Sequence, residues 1–236
     1  MLAHLYKTRW HLAITLLFLF LPVAFFIIFS SVARLGSLAL LQDVFISTLR
    51  LFVAYVLALV LGWGLALLFC RGTMARVALP IFDVLQSFPT FAALPLAVAA
   101  WGESDVTVVV FLLITIIWPI FFSVTSTLQR VPRDWQEAAH VYHLRGWRYV
   151  KSFLLPASYP GAITGSIIGL GEGWEALVAT EIIVGSQQGL GNFFQIFSQN
   201  ITMTFFGILG FLLLIFSLNK IVWLPLLERS HRHTVE

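Results

Sequence analysis

The chain has 236 residues, 59% of them hydrophobic and 11% charged, with a formal net charge of +3. A soluble domain carries roughly 25% charged residues, so an ordinary water-facing surface is excluded and the composition reads as a polytopic membrane protein. The single cysteine, Cys70, excludes an internal disulfide and a cysteine metal cluster.

Residues 1–9 are short and basic. Residues 10–30 form an apolar run long enough to cross about 30 Å of hydrocarbon as a helix. A removable signal peptide is the alternative; the length of the run and the want of a clean small-residue cleavage site after it favour a retained span. A second span is expected over 45–69. A third over 77–101 is interrupted by Pro80, Pro89 and Pro95, and is expected to be kinked, with freed carbonyls that need partners or water. A fourth covers 106–128 and contains Pro119, a glycine-rich fifth covers 157–184, and a sixth covers 203–227. No repeat period and no linker composition divides the chain, so residues 1–236 read as one transmembrane domain.

Between the fourth and fifth spans lies residues 129–156, polar and basic. Val141, Leu144, Trp147 and Tyr149 are spread among Arg145, Arg148 and Lys151, a pattern for a short helix lying against a partner. Pro156 is expected to end or bend it. Lys and Arg collect in short cytoplasmic loops. With six crossings, twelve of the fourteen fall on one side, Lys7, Arg9, Arg71, Arg76, Lys220, Arg229 and Arg232 among them; Arg34 and Arg50 fall elsewhere. Both termini are therefore expected to be cytoplasmic. Such charges also fix topology and touch anionic lipid, so membrane lipid is an expected partner and nucleic acid is not.

No Gly-x-x-x-x-Gly-Lys-Ser/Thr occurs, so the chain does not cradle nucleotide phosphate by that route. His140 and His143 share a helix face, but no carboxylate or cysteine completes a metal set; His231 and His233 read as a solvated tail, and no metal site is expected. Gly165, Gly169 and Gly173 lie four apart, with Gly171 between them, a spacing that suits close helix packing or a loosened helix beside a pathway. Asp83, Glu172, Glu175 and Glu181 are costly in hydrocarbon and are expected to face a bundle interior or cavity. Glu172 and Glu175 sit about 60° apart on a helix, while Glu181 is about 180° from Glu172. By depth, Arg50 and Glu181 come to the same level near the outer surface, and a direct or water-bridged pair is expected; the alternative is that Arg50 snorkels outward.

The loop also carries Glu137-Ala138-Ala139 and, further on, Leu155-Pro156. This spacing resembles the cytoplasmic loop of ATP-binding-cassette importer permeases, closest to the nitrate, sulfonate and taurine group. Ser87-Phe88-Pro89 with Leu94-Pro95-Leu96, Trp174 with Leu177-Val178-Ala179 and Glu181, and Gly189-Leu190-Gly191 extend the resemblance from about Phe45 to the C-terminus. The glycine usually found six residues after the motif glutamate is His143 here, with Gly146 three further on, which leaves the turn between the two coupling helices open.

The resemblance implies an all-helical permease of the type I importer kind, multi-pass in the inner membrane. Its coupling residues would be Glu137, Ala138, Ala139, His143, Gly146, Leu155 and Pro156. Two separate ATPase subunits would use ATP and Mg, with no cofactor on this chain. A second permease subunit, identical or similar, and a periplasmic or lipid-anchored solute-binding protein would complete the assembly. The chain would be a transport subunit rather than an enzyme. Pro89, Pro95, Glu172, Trp174, Glu175 and Glu181 are candidates for the translocation path. The resemblance favours a small anion such as nitrate, a sulfonate or taurine. The membrane carboxylates argue against a bare anion, so thiamine-precursor pyrimidines and other neutral or zwitterionic solutes stay open. Two alternatives remain on the sequence: a gradient-driven transporter using Glu172 and Glu175 as proton carriers, and a non-transporting membrane scaffold.

Overall fold

A computed structural model describes residues 2–33, 36–70 and 72–223. Arg34, Arg71, Arg229, His231, Arg232, His233 and the end of the expected sixth span lie outside the described residues. In order, the helices are α1 (Leu2–Val32), α2 (Ser37–Phe69), α3 (Gly72–Gln86), α4 (Thr90–Trp101), α5 (Asp105–Gln129), α6 (Arg133–Val141), α7 (Gly146–Tyr149), α8 (Leu155–Val184), α9 (Leu190–Ile196) and α10 (Ile201–Leu218). Widened π-helical turns follow α7 at Val150–Leu154 and α10 at Asn219–Trp223.

Among the described residues, Leu38–Phe69, Asp105–Gln129 and Ile201–Val222 are long and apolar enough to cross a membrane, and α3 with α4 makes a fourth span if the pair counts as one. The first expected span appears as α1, whose shorter apolar part is Leu17–Val32. The fifth appears as α8, 30 residues long, its apolar character diluted by serine, glycine and three glutamates.

The expected third span is two helices bent by 80°. Pro89 drives the preceding residue out of helical geometry, and the break falls on Ser87-Phe88-Pro89. Local groups satisfy the interrupted backbone there. The Ser87 hydroxyl donates to the Asp83 carbonyl at 3.0 Å and that of Thr90 to the Phe88 carbonyl at 3.2 Å. Pro80 and Pro95 stay inside their helices.

The helices gather into two compact units. In the unit formed by the chain up to Thr48 and from Gly185 onward, α1 packs on α10 around Phe26, Phe29, Leu40 and Phe193. The closeness of that contact needs Gly210, where a Cβ would lie 2.7 Å from the Phe25 ring. Two side chains of α2 hold the Gly189-Leu190-Gly191 turn. Asp43 accepts from the Gly189 N–H at 2.7 Å, and Ser47 accepts from the Leu190 N–H at 2.8 Å.

The other unit, Leu49–Val184, is built on α5 against α8. Ser104 caps α5, accepting from the Thr107 N–H at 3.3 Å. Four glycines of α8, one every fourth residue, form the seam. A Cβ on Gly161 would lie 2.7 Å from the Ser123 carbonyl oxygen, and one on Gly165 would lie 2.6 Å from the Ile120 Cα. On Gly169 and Gly173 it would press on Ile116. Close packing is thus the role of this stripe, whereas Gly171 faces open space. Two hydrogen bonds between neutral side chains link α2 to α8 along their length. Tyr55 donates to Ser166 at 3.0 Å and the Trp63 indole to Ser158 at 2.8 Å, with both serines buried. The partners run in opposite order along the two helices, so α2 and α8 are antiparallel.

Candidate functional site

Three groupings of chemistry-bearing residues stand out. The first is an ion-paired cluster where α2, α5 and α8 meet. Arg50 donates through Nη1 to Glu181 Oε1 at 2.6 Å, and through Nε and Nη2 to Asp105 Oδ1 at 2.9 and 2.5 Å. Glu181 is 0% exposed and Arg50 8%, while the Asp105 side chain is 72% exposed. The pair expected from depth alone is therefore a direct contact, and Arg50 turns inward rather than snorkelling out. Asp105 is a third member that sequence reasoning missed. Its signal was its place in the first turn of a capped helix, where an acid favours the helix dipole.

The second grouping is a cleft of about 360 Å³ between the α3–α4 break, α5 and α8. Gln86, Thr90, Thr115, Trp118, Ser123 and Glu172 line it. Glu172 makes no ion pair or hydrogen bond among the described residues. Of the other path candidates, Glu175 is exposed on α8 and does not line the cleft, while Trp174 is buried at 6% exposure. Glu181 is locked in the cluster above. Pro89 sits at the break and Pro95 inside α4, neither among the residues lining the cleft, which Gln86 and Thr90 reach from this pair.

The third grouping is the loop from α5 to α8. Helix α6 carries Glu137 and Ala138 exposed and Ala139 buried. It ends in a two-bond reversal: the Leu144 N–H donates to the Ala139 carbonyl and the His143 N–H to that of His140, both at 3.0 Å. This is the Schellman pattern, which puts the residue after the cap in the left-handed region. That residue is His143, at φ 51°, the one non-glycine residue with positive φ among those described. The histidine thus adopts the conformation that the usual glycine would supply, and Gly146, the first residue of α7, is also left-handed at φ 53°. Trp135, Val141, Tyr142 and Trp147 are exposed around the turn, Tyr142 at 79% and Trp147 at 72%.

The expectation that Pro156 ends or bends the loop helix is corrected in part: helical backbone runs on from Gly146 through the widened turn into α8. The Leu155 N–H reaches back to the Val150 carbonyl, one residue further than in an α-helix. This π-turn makes room where the proline, lacking an N–H, would clash with the carbonyl four residues back.

An all-helical membrane protein with an amphipathic loop between two packed helices is the class these features define. Residues 58–224 match the model of the binding-protein-dependent transport system inner membrane component family, and the chain belongs to that family. It is 37% identical over 152 residues to the nitrate import permease protein of Synechocystis sp., covering 64% of this chain and 55% of that one. It is 26% identical over 175 residues to the bicarbonate transport system permease protein of Synechococcus elongatus, covering 71% and 63%. It is 29% identical over 143 residues to the taurine transport system permease protein of Escherichia coli, covering 61% and 50%. The chain spans about half the length of the relatives it matches.

Proposed function

We propose that this chain is the membrane-spanning subunit of an ATP-driven importer for a small solute, as the names of its nitrate, bicarbonate and taurine relatives suggest. In this reading residues 1–236 form one transmembrane domain with six crossings and both ends cytoplasmic. Two ATPase subunits dock on the loop 129–156, a second permease subunit completes the pathway, and a solute-binding protein delivers the cargo. ATP is hydrolysed on the partner subunits, and their closure re-aims the spans through the loop. The family match supports the assembly. The observation that carries the coupling assignment is the loop itself: a short helix closed by a left-handed turn at His143 presents four exposed aromatic and apolar side chains beside Glu137, with a basic stretch following. Exposed apolar surface of this kind marks a protein interface.

The test is co-purification of the tagged chain with an ATP-binding-cassette ATPase subunit from membranes of the cells that make it. Glu137→Lys reverses a charge at the interface, and Gly146→Trp forces a bulky residue into a positive-φ position. Each is expected to reduce ATPase association at least tenfold while the chain still inserts into membranes. Association at wild-type level in both variants would remove the coupling assignment.

A further inference from the structure

Several polar side chains around the cleft have donors committed to the protein itself. The Thr90 hydroxyl donates to the Phe88 carbonyl at 3.2 Å and the Thr115 hydroxyl to the Phe111 carbonyl at 3.1 Å. The Gln86 side-chain amide donates to Asp83 at 2.7 Å. A hydroxyl that donates its one hydrogen to a backbone carbonyl offers only lone pairs to anything else, and a glutamine donating in this way still has its carbonyl oxygen free. The lining thus offers acceptor oxygens on Thr90, Thr115 and Gln86, and Glu172 adds a carboxylate with no ion pair or hydrogen bond among the described residues. Among the described residues, no lysine, arginine or histidine lines the cleft. Trp118 supplies an aromatic wall, with the Phe122 ring beside it at 6.5 Å. The cleft's volume of about 360 Å³ falls within the usual range for small-molecule sites.

An oxyanion is all acceptor; the second Gln86 amide hydrogen, the Ser123 hydroxyl and the Trp118 indole N–H are the neutral donors left to it, and it would have to lie beside the like-charged Glu172 carboxylate. A protonated amine is all donor. It matches the free oxygens, pairs with the carboxylate, and gains from an aromatic face. We propose that this cleft is a recognition site for a solute carrying a protonated amine, with Glu172 as its specificity-determining residue, so that the cargo is a cation or a zwitterion rather than a bare oxyanion. This rests on the importer reading and sharpens it: the sequence matches relatives named for nitrate and bicarbonate, while the charge in the lining is an acid.

The probes are ethanolamine, taurine and nitrate, each titrated against the purified full chain in detergent. Thermal unfolding is followed with a thiol-reactive dye at Cys70, the chain's single cysteine, which is buried. Ethanolamine and taurine are expected to stabilise saturably. Their half-saturating concentrations should rise tenfold or more in Glu172→Gln and severalfold in Thr115→Val, and remain unchanged in Glu103→Gln, a carboxylate outside the cleft. Nitrate should give no shift that depends on Glu172. The proposal is overturned if neither amine stabilises, if Glu172→Gln leaves their titrations unchanged, or if nitrate stabilises and does so better in Glu172→Gln. ATPase co-purification on the same preparations separates the two readings. Association retained with a Glu172-independent titration removes the selectivity proposal alone. A Glu172-dependent titration without association removes the importer reading alone.

Discussion

Removing the charge of Arg50 should damage the protein far more than removing that of Asp105, although both belong to one cluster. Glu181 is fully buried, and its carboxylate lies 2.6 Å from the Arg50 guanidinium. Unit charges about 4 Å apart attract by about 4 kcal/mol at an effective dielectric constant of about 20. Desolvation offsets most of that gain, so the pair itself adds little net stability, but breaking it from one side leaves a buried charge and costs about 3–5 kcal/mol. Asp105 is mostly exposed, and losing an exposed partner costs about 0–1 kcal/mol. For a chain of this size 1 kcal/mol moves the melting temperature by about 2–4 °C. Arg50→Met and Glu181→Leu should each lower it by about 10 °C, and Asp105→Asn by no more than about 3 °C. The double change Arg50→Met with Glu181→Leu removes both charges and should recover most of the loss. Dye labelling of Cys70 during a thermal ramp in detergent measures all four variants. Additive losses in the double variant, or an Asp105→Asn loss as large as that of Glu181→Leu, would refute the reasoning.

The seam and the loop give two more tests in the same assay. Gly165→Ala pushes a methyl group to 2.6 Å from the Ile120 Cα and should cost about 1–3 kcal/mol, while Gly171→Ala, which meets nothing within 4 Å, should be neutral or stabilising by up to about 1 kcal/mol. His143→Gly relieves a left-handed residue at φ 51° and should raise stability by about 0.5–1 kcal/mol without weakening ATPase association, whereas His143→Val should lower both.

Much of this was legible in the sequence wherever depth or a single residue type decided it. Arg50 and Glu181 could be brought to one level by counting residues, because a helix rises uniformly. The broken third span could be read from Pro89, but not its 80° angle, since proline limits the residue before it and leaves the exit direction to packing. The Tyr55–Ser166 and Trp63–Ser158 bonds were illegible, because they depend on how α2 and α8 are set against each other. Gly161 escaped notice because the stripe was read only where its glycines clustered with the acids. At Pro156 the sequence rule spoke for a helix end or bend, and a widened turn offered the chain another way to accommodate the ring. At His143 the departure from glycine was visible, but whether the turn would move or the histidine would bear the strain depended on the two reversal bonds around it.

A single row on α8 explains why one helix can both lock the unit and line the cleft. Residues four apart on a helix advance by about 40° per step, so a row of such positions winds slowly around the axis. The row runs Gly161, Gly165, Gly169, Gly173, Leu177, Glu181, and each member is buried. At its start the partner is α5, through Ser123 and Thr127; at Gly173 it is both Ile116 of α5 and Leu51 of α2; at Glu181 it is Arg50. The row has turned from one neighbour to the next, and the carboxylate falls where α2 presents its arginine beside Leu51. Glu172 lies about 100° back from Gly173, off this row and toward the cleft. The two acids therefore have separable roles despite sharing a helix. Loss of Glu181 should appear as instability, whereas loss of Glu172, which supports no contact within the fold, should leave stability intact and change only what the cleft accepts.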